Sequence, residues 1–227
     1  MLGPPGTVGI EAEPEAAAAL VALGLEPSAS QLDVFKRKLR LLIDGNTSDF
    51  DTWVSLISSA EETSVNDIGV ISLVYRTFLL EFPLCYGYWI KYAAHKARLC
   101  TYDDVVGVYE QAVQAVPHCT DLWVSYCGFA MSAYEDPALI RSLFERAVSL
   151  VGKDYLCCHL WDKYIEFEKS QKQLIQLATI YINMLKFPTK KLHKYYGRYI
   201  TDSSFPHHYT FFIASDSSFM PSGTFAC

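Results

Sequence analysis

The sequence predicts an all-α protein, a superhelical α-solenoid of helix–turn–helix repeats, from three landmarks that recur in register. Trp53, Trp89, Trp123 and Trp161 stand 36, 34 and 38 residues apart in a chain of 227. Each is followed by an aromatic, Tyr75, Tyr109, Phe144 and Tyr181, at +22, +20, +21 and +20. Seven or eight residues beyond each aromatic stands Pro83, Pro117, Gly152 or Pro188. A period in the mid-thirties is the length of one helix–turn–helix unit, which buries its apolar face only by stacking on a neighbour.

Residues 1–27 carry four prolines, several glycines and an alanine run, the composition of a disordered leader. The repeat array is expected over 28–198, as a leading helix plus about four repeats. Leu32, Phe35, Leu39 and Leu42 have helical spacing and predict the leading helix, ending near Gly45. In the first helix of each repeat, Leu56, Tyr92, Tyr126 or Tyr164 follows its tryptophan by three residues, which puts both on one face. The second helices carry continuous apolar stripes. Val70, Val74, Tyr75, Phe78, Leu79 and Phe82 form the first, and Val105, Val108, Tyr109, Ala112, Val113 and Val116 the second. Leu139, Ile140, Leu143, Phe144, Ala147, Val148 and Val151 form the third, and Leu174, Leu177, Ala178, Tyr181 and Leu185 the fourth. These eleven aromatic landmarks, the four tryptophans, Tyr75, Tyr109, Phe144 and Tyr181, and Tyr92, Tyr126 and Tyr164, are expected as the structural core of the repeats.

The boundaries have their own chemistry. Asp136 before Pro137 reads as an N-cap with a first-turn proline, and Thr101 with Asp104 as a capping box. Pro83, Pro117 and Pro188 are expected to terminate the second helices, since proline lacks an amide proton and clashes with the preceding turn. Gly152 is expected to do the same through a left-handed cap. After Arg198 the pattern stops: residues 199–227 hold no lysine or arginine and two acids, with no helical or strand period. That unpatterned tail is expected to lie outside the array, as foreign sequence of the kind a retained intron supplies.

The composition excludes several function classes. A formal net charge of −6 argues against a dominant phosphate-binding role. Positive charge nevertheless collects in two knots, Lys36, Arg37, Lys38 and Arg40, and Lys186, Lys190, Lys191 and Lys194. They read as solvated helix faces, or as a docking patch for RNA or an acidic partner. Seven cysteines form no C-x-x-C pair, and Cys157, Cys158 and His159 lack a second ligand pair, so no metal site is expected. No apolar run approaches the ~18 residues of a membrane span, so no membrane association is expected. Asp103 and Asp104 read as helix-capping acids. There is no phosphate loop, nucleophile elbow or H-E-x-x-H, and hence no catalytic residue or cofactor to name.

The repeat pattern resembles the half-a-TPR (HAT) repeat. Trp89-Ile90-Lys91-Tyr92 and Trp161-Asp162-Lys163-Tyr164 match its first helix. Tyr109-Glu110-Gln111-Ala112-Val113 and Phe144-Glu145-Arg146-Ala147-Val148 match its second. Leu56, Thr77-Phe78 and Tyr181-Ile182-Asn183 depart from the motif without breaking the apolar stripe. The linkers Asp49-Phe50-Asp51-Thr52-Trp53, Val151-Gly152-Lys153-Asp154-Tyr155 and Pro188-Thr189-Lys190-Lys191-Leu192-His193 resemble the pre-mRNA-processing factor 39 family, as does Leu160 to Glu168. The resemblance runs over roughly residues 30–197. It implies a nuclear, non-catalytic splicing scaffold in the U1 small nuclear ribonucleoprotein. Its partners would be U1 snRNP proteins, with snRNA or pre-mRNA contacted indirectly, and its role support of 5′ splice-site recognition. Dimerisation is implied for full-length members through repeats beyond this point, which makes the chain read as an amino-terminal, truncated form.

Read from the residues, two classes stay open beside direct RNA binding. One is a scaffold of this or another RNA-processing complex, in 3′-end processing or ribosome biogenesis, using exposed charges such as Lys91, Lys96, Arg98, Lys163 and Lys169. The other is a TPR-like adaptor gripping an acidic peptide.

Overall fold

The computed structural model describes residues 31–45 and 49–201. The leader at 1–27 and residues 202–227 of the tail lie outside them. The described residues form ten α-helices and no strand, an all-α solenoid. They are α1 (Gln31–Asp44), α2 (Phe50–Thr63), α3 (Ile68–Glu81), α4 (Tyr86–Leu99), α5 (Tyr102–Ala115), α6 (Thr120–Ala133), α7 (Pro137–Val151), α8 (Cys158–Ser170), α9 (Leu174–Leu185) and α10 (Leu192–Thr201). Among the described residues no helix is long and apolar enough to cross a membrane.

Helices α2, α3, α5 and α7 start on side-chain oxygens that accept the first free amides, whereas α4, α6, α8 and α9 start without a side-chain cap. Asp49 accepts from Asp51 N–H, Asp67 from Gly69 and Val70 N–H, and Asp136 from Ala138 N–H ahead of Pro137. Thr101 and Asp104 form the reciprocal capping box of α5. Helix ends follow from proline: α3 and α5 close on Phe82 and Val116, one residue before Pro83 and Pro117, and α9 closes on Lys186, two before Pro188. The turn from α8 to α9 passes through Lys172 in the left-handed region, at φ 56°.

Two compact units divide the chain at Phe82 and Pro83. In the first, α3 packs on both α1 and α2. Phe50, Trp53, Phe78 and Phe82 make an aromatic cluster with ring centroids 5.1–6.4 Å apart. Tyr75 is buried and donates its hydroxyl to Glu61. The second unit stacks α4–α5, α6–α7 and α8–α9 as helix hairpins, with first helices α4, α6 and α8 in succession and α10 against α9.

Three expectations are corrected. Gly152 caps α7 in the right-handed region, φ −66° and ψ −14°, so left-handed freedom is not why glycine stands there. The reason is space: a Cβ at 152 would meet the Val148 carbonyl oxygen at 2.4 Å and Val148 Cγ1 at 2.8 Å. Leu139 and Leu174 belong to no buried stripe; each lies in the first turn of its helix, exposed, short of the partner helix that covers the following turns. Finally, the patterned chain does not stop at Arg198. Helix α10 runs to Thr201 and buries Tyr199, because Tyr195 and Tyr199, four apart, share the face turned to α8 and α9.

Gly152→Ala is expected to destabilise the second unit by about 1–3 kcal/mol, as an overpacking change at backbone. Equilibrium denaturation followed by circular dichroism measures it; an unchanged midpoint would show that the close approach is slack.

Candidate functional site

All eleven aromatic landmarks are buried, none more than 7 % exposed. In the second unit the structure brings them together across repeat boundaries. The aromatic of each second helix meets the tyrosine that follows the tryptophan in the next first helix. Tyr109 lies flat on Tyr126, centroids 4.8 Å apart and planes 6° apart. Phe144 lies flat on Tyr164 at 4.6 Å and 2°. At the last junction Tyr181 meets Tyr199 of α10 at 5.6 Å, tilted by 52°. Offset aromatic pairs of this kind contribute roughly 0.5–1.5 kcal/mol each beyond their area burial.

The helix-terminating residues meet the tryptophans in the same way. Trp89 Nε1–H donates to the Pro83 carbonyl at 2.9 Å, Trp123 Nε1–H to Pro117 at 2.7 Å, and Trp161 Nε1–H to Gly152 at 3.1 Å. The Gly152 carbonyl also accepts from the Cys157 thiol at 3.2 Å.

Charge then differs from junction to junction. Between the second and third repeats, Glu110 accepts the Tyr126 hydroxyl at 2.6 Å and two 2.9 Å bonds from Arg146, whose guanidinium lies 5.0 Å over the Trp123 ring. Burial first, then the bond to Glu110, pushes the Tyr126 hydroxyl well above the usual phenol range. Within the next junction, Arg141 on α7 reaches Glu168 on α8 with Nε at 2.7 Å and Nη2 at 3.0 Å. The Glu168 side chain is 0 % exposed and that of Arg141 24 %. At the end of the array Asp162 takes Lys191 at 2.9 Å and Arg198 at 3.3 Å, and Tyr195 donates to the Cys158 carbonyl at 2.9 Å. Sequence reading passed over Glu168, Arg141 and the linking role of Glu110; the only signal was an acid and a base set among stripe residues.

Of the charges expected to be exposed, Lys91, Arg98 and Lys169 are. Lys96 is not: its side chain is 16 % exposed, 3.8 Å from Asp104 and against the Tyr92 ring. Lys163 is half-buried, its ammonium end 3.5 Å from where a Cβ on Gly128 would stand. Burial pushes the Cys127 thiol up to about 12 and the Cys157 thiol up to about 11, so both are protonated at neutral pH and poor nucleophiles. No group of three or more histidines, cysteines and acids among the described residues could hold a metal ion.

Two sets of variants test this construction. Trp123→Phe keeps most of the bulk and loses the donor to Pro117, with an expected cost of about 1–3 kcal/mol; Trp123→Ala and Trp161→Ala each remove a core ring, at about 3–5 kcal/mol. Equal costs for the phenylalanine and alanine changes at 123 would mean the hydrogen bond, not the bulk, carries the site. Arg141→Ala leaves a buried carboxylate alone and is expected to cost about 3–5 kcal/mol, whereas Arg141→Met with Glu168→Leu costs far less. Thermal and chemical denaturation of both variants decide it.

The PRP39 N-terminal HAT repeat family matches residues 37–201. The chain is 50% identical over 176 residues to Pre-mRNA-processing factor 39-2 of Arabidopsis thaliana, covering 77% of this chain and 17% of that protein. It is 31% identical over 166 residues to Pre-mRNA-processing factor 39 of Schizosaccharomyces pombe, covering 70% of this chain and 27% of that one. With Pre-mRNA-processing factor 39 of Homo sapiens it shares 32% over 162 residues, 69% of this chain and 24% of the human protein. The chain thus spans about a sixth to a quarter of the length of these relatives. A repeat array whose matched residues run through every junction from α2 to α10 leaves one assignment: the chain belongs to the PRP39 N-terminal HAT-repeat family.

Proposed function

We propose that the chain is a non-catalytic scaffold of the nuclear pre-mRNA splicing machinery, a U1 small nuclear ribonucleoprotein component that supports 5′ splice-site recognition through protein–protein contacts. The observation that carries this reading is the 50% identity, over 77% of the chain, to a protein named Pre-mRNA-processing factor 39-2. Physical support comes from where the chemistry sits. The polar groups of the junctions are spent on holding helix pairs in register, and the exposed Lys91, Arg98 and Lys169 stand on first helices, facing outward. A stacked array of this kind offers partners a long, preformed surface, over which many modest polar contacts add up.

The reading is tested with the full chain, tagged and incubated in nuclear extract, by immunoblotting for U1 proteins and primer extension for U1 snRNA after RNase and mock treatment. Enrichment of U1 proteins that survives RNase is the expected result. Recovery of 3′-end-processing or pre-ribosomal proteins in their place, or of acidic chaperone tails, would replace it with another scaffold or with a TPR-like adaptor.

A further inference from the structure

Charge in this chain is divided along its length. Residues 153–201 hold nine lysines and arginines against four acids, while the rest of the sequence holds ten against 21. The fold concentrates part of that excess at one place. The Lys190 amide donates to the Tyr155 carbonyl at 3.0 Å, which ties the α9–α10 turn to the α7–α8 turn. Lys153 crosses the same boundary, its ammonium 5.5 Å over the Phe187 ring. Lys153, Lys186 and Lys190, with Lys194 in the first turn of α10, are all exposed, and among the described residues none of the four is in an ion pair. The nearby acids are already engaged: Asp162 holds Lys191 and Arg198, and Asp154 accepts the Leu156 amide at 2.6 Å. Tyr155, two residues from Lys153 and bonded through its carbonyl to Lys190, is 59 % exposed.

We propose that this rim, Lys153, Tyr155, Lys186, Lys190 and Lys194, binds single-stranded RNA, the lysines meeting successive phosphates and Tyr155 stacking on a base. Flexible lysine ammoniums that no acid neutralises suit a phosphate backbone of variable path. An exposed aromatic ring offers a sequence-tolerant platform for any base. An acidic peptide is the weaker fit. Peptides seat their side chains in grooves or extend a sheet edge, and two clefts of this unit are lined by other residues, one by Asp162, Glu166 and Arg198 and the other by Glu168, Lys172 and Leu177. Direct RNA contact goes beyond the protein-scaffold reading, and its test contains no splicing component, so the two fail separately.

Fluorescence anisotropy of the full chain with labelled decauridylate is expected to give a Kd on the order of 1–100 μM. Its logarithm should change with log salt at a slope of about 2–3, since single strands lose about 0.7 per phosphate neutralised. Lys190→Glu with Lys194→Glu should weaken binding by tenfold or more and flatten the slope. Tyr155→Ala should weaken it about tenfold at an unchanged slope, and Tyr155→Phe should bind as the parent does. Lys91→Glu, away from the rim, should stay within twofold. Circular dichroism confirms that each variant keeps the parental helix signal. Absence of binding, or binding that the rim substitutions leave unchanged, overturns the proposal. So does a glutamate-rich decapeptide that displaces the RNA at lower concentration, which would assign the rim to an acidic protein.

Discussion

A buried indole N–H needs an acceptor, and in this array the backbone that leaves a second helix supplies it. Proline after a helix stops it cleanly but leaves its terminal carbonyls orphaned. Pro83 and Pro117, one residue past the C-cap, and Gly152, at it, each give a carbonyl to the tryptophan of the following first helix, at 2.7–3.1 Å. Within the second unit the bond fixes where α6 and α8 begin relative to the ends of α5 and α7. With that distance held, the second-helix aromatic falls over the next tyrosine, as the near-parallel pairs Tyr109–Tyr126 and Phe144–Tyr164 show. Gly152 fits the scheme without being proline because it contributes what proline does at the other two positions, a stopped helix and an outward-facing carbonyl, in a space where a side chain would strike Val148.

That constraint explains what could be read from the chain and what could not. The nine helices that make up the leading helix and four repeats, and the faces carrying Trp123 or Phe144, follow from spacing, since an amphipathic helix writes its buried face into every third and fourth residue; the tenth helix does not. Spacing along one helix says nothing of what lies across from it. The pairing of Tyr109 with Tyr126, 17 residues on, and of Phe144 with Tyr164, 20 on, needs the turn geometry between them. Leu139 and Leu174 fit an apolar period and are exposed, because periodicity does not record where the partner helix stops. Nothing in its own helix marks Glu168 for burial, which depends on Arg141, 27 residues earlier. Helix α10 was blurred by its composition: tyrosines at 195 and 199 stand where the other first helices use tryptophan and tyrosine.

Aromatic contacts repeat at every junction of the second unit, while the ion pairs do not. The glutamate and arginine of the aromatic-E-R-A stretch meet as Glu110 and Arg146, one repeat apart, only because both repeats supply their half. At the following junction Asn183 stands where an arginine would answer Glu145, and stability is drawn from Arg141 and Glu168 instead. Such pairs add little where water reaches them and much where it does not. Their variation therefore leaves the stacking geometry alone and makes each junction chemically individual, which is what a surface that must distinguish partners requires.

Turns between repeats are free in a way the helices are not. A helix of this array answers to two neighbours, and nearly every stripe position is occupied by that duty. A turn answers only to the tryptophan bond and to its own capping. The two stretches that carry the most distinctive resemblance outside the repeat motif, Val151 to Tyr155 and Pro188 to His193, are both turns, and the Lys190–Tyr155 bond joins them. They also hold Lys153 and Lys190, two of the four rim lysines that have no ion pair among the described residues, in a chain that is acidic overall. Packing does not ask for lysine there, nor for a tyrosine ring held out in water by its own backbone. Lys153, Tyr155 and Lys190 are thus residues that no stacking rule demands, brought to one boundary by the fold.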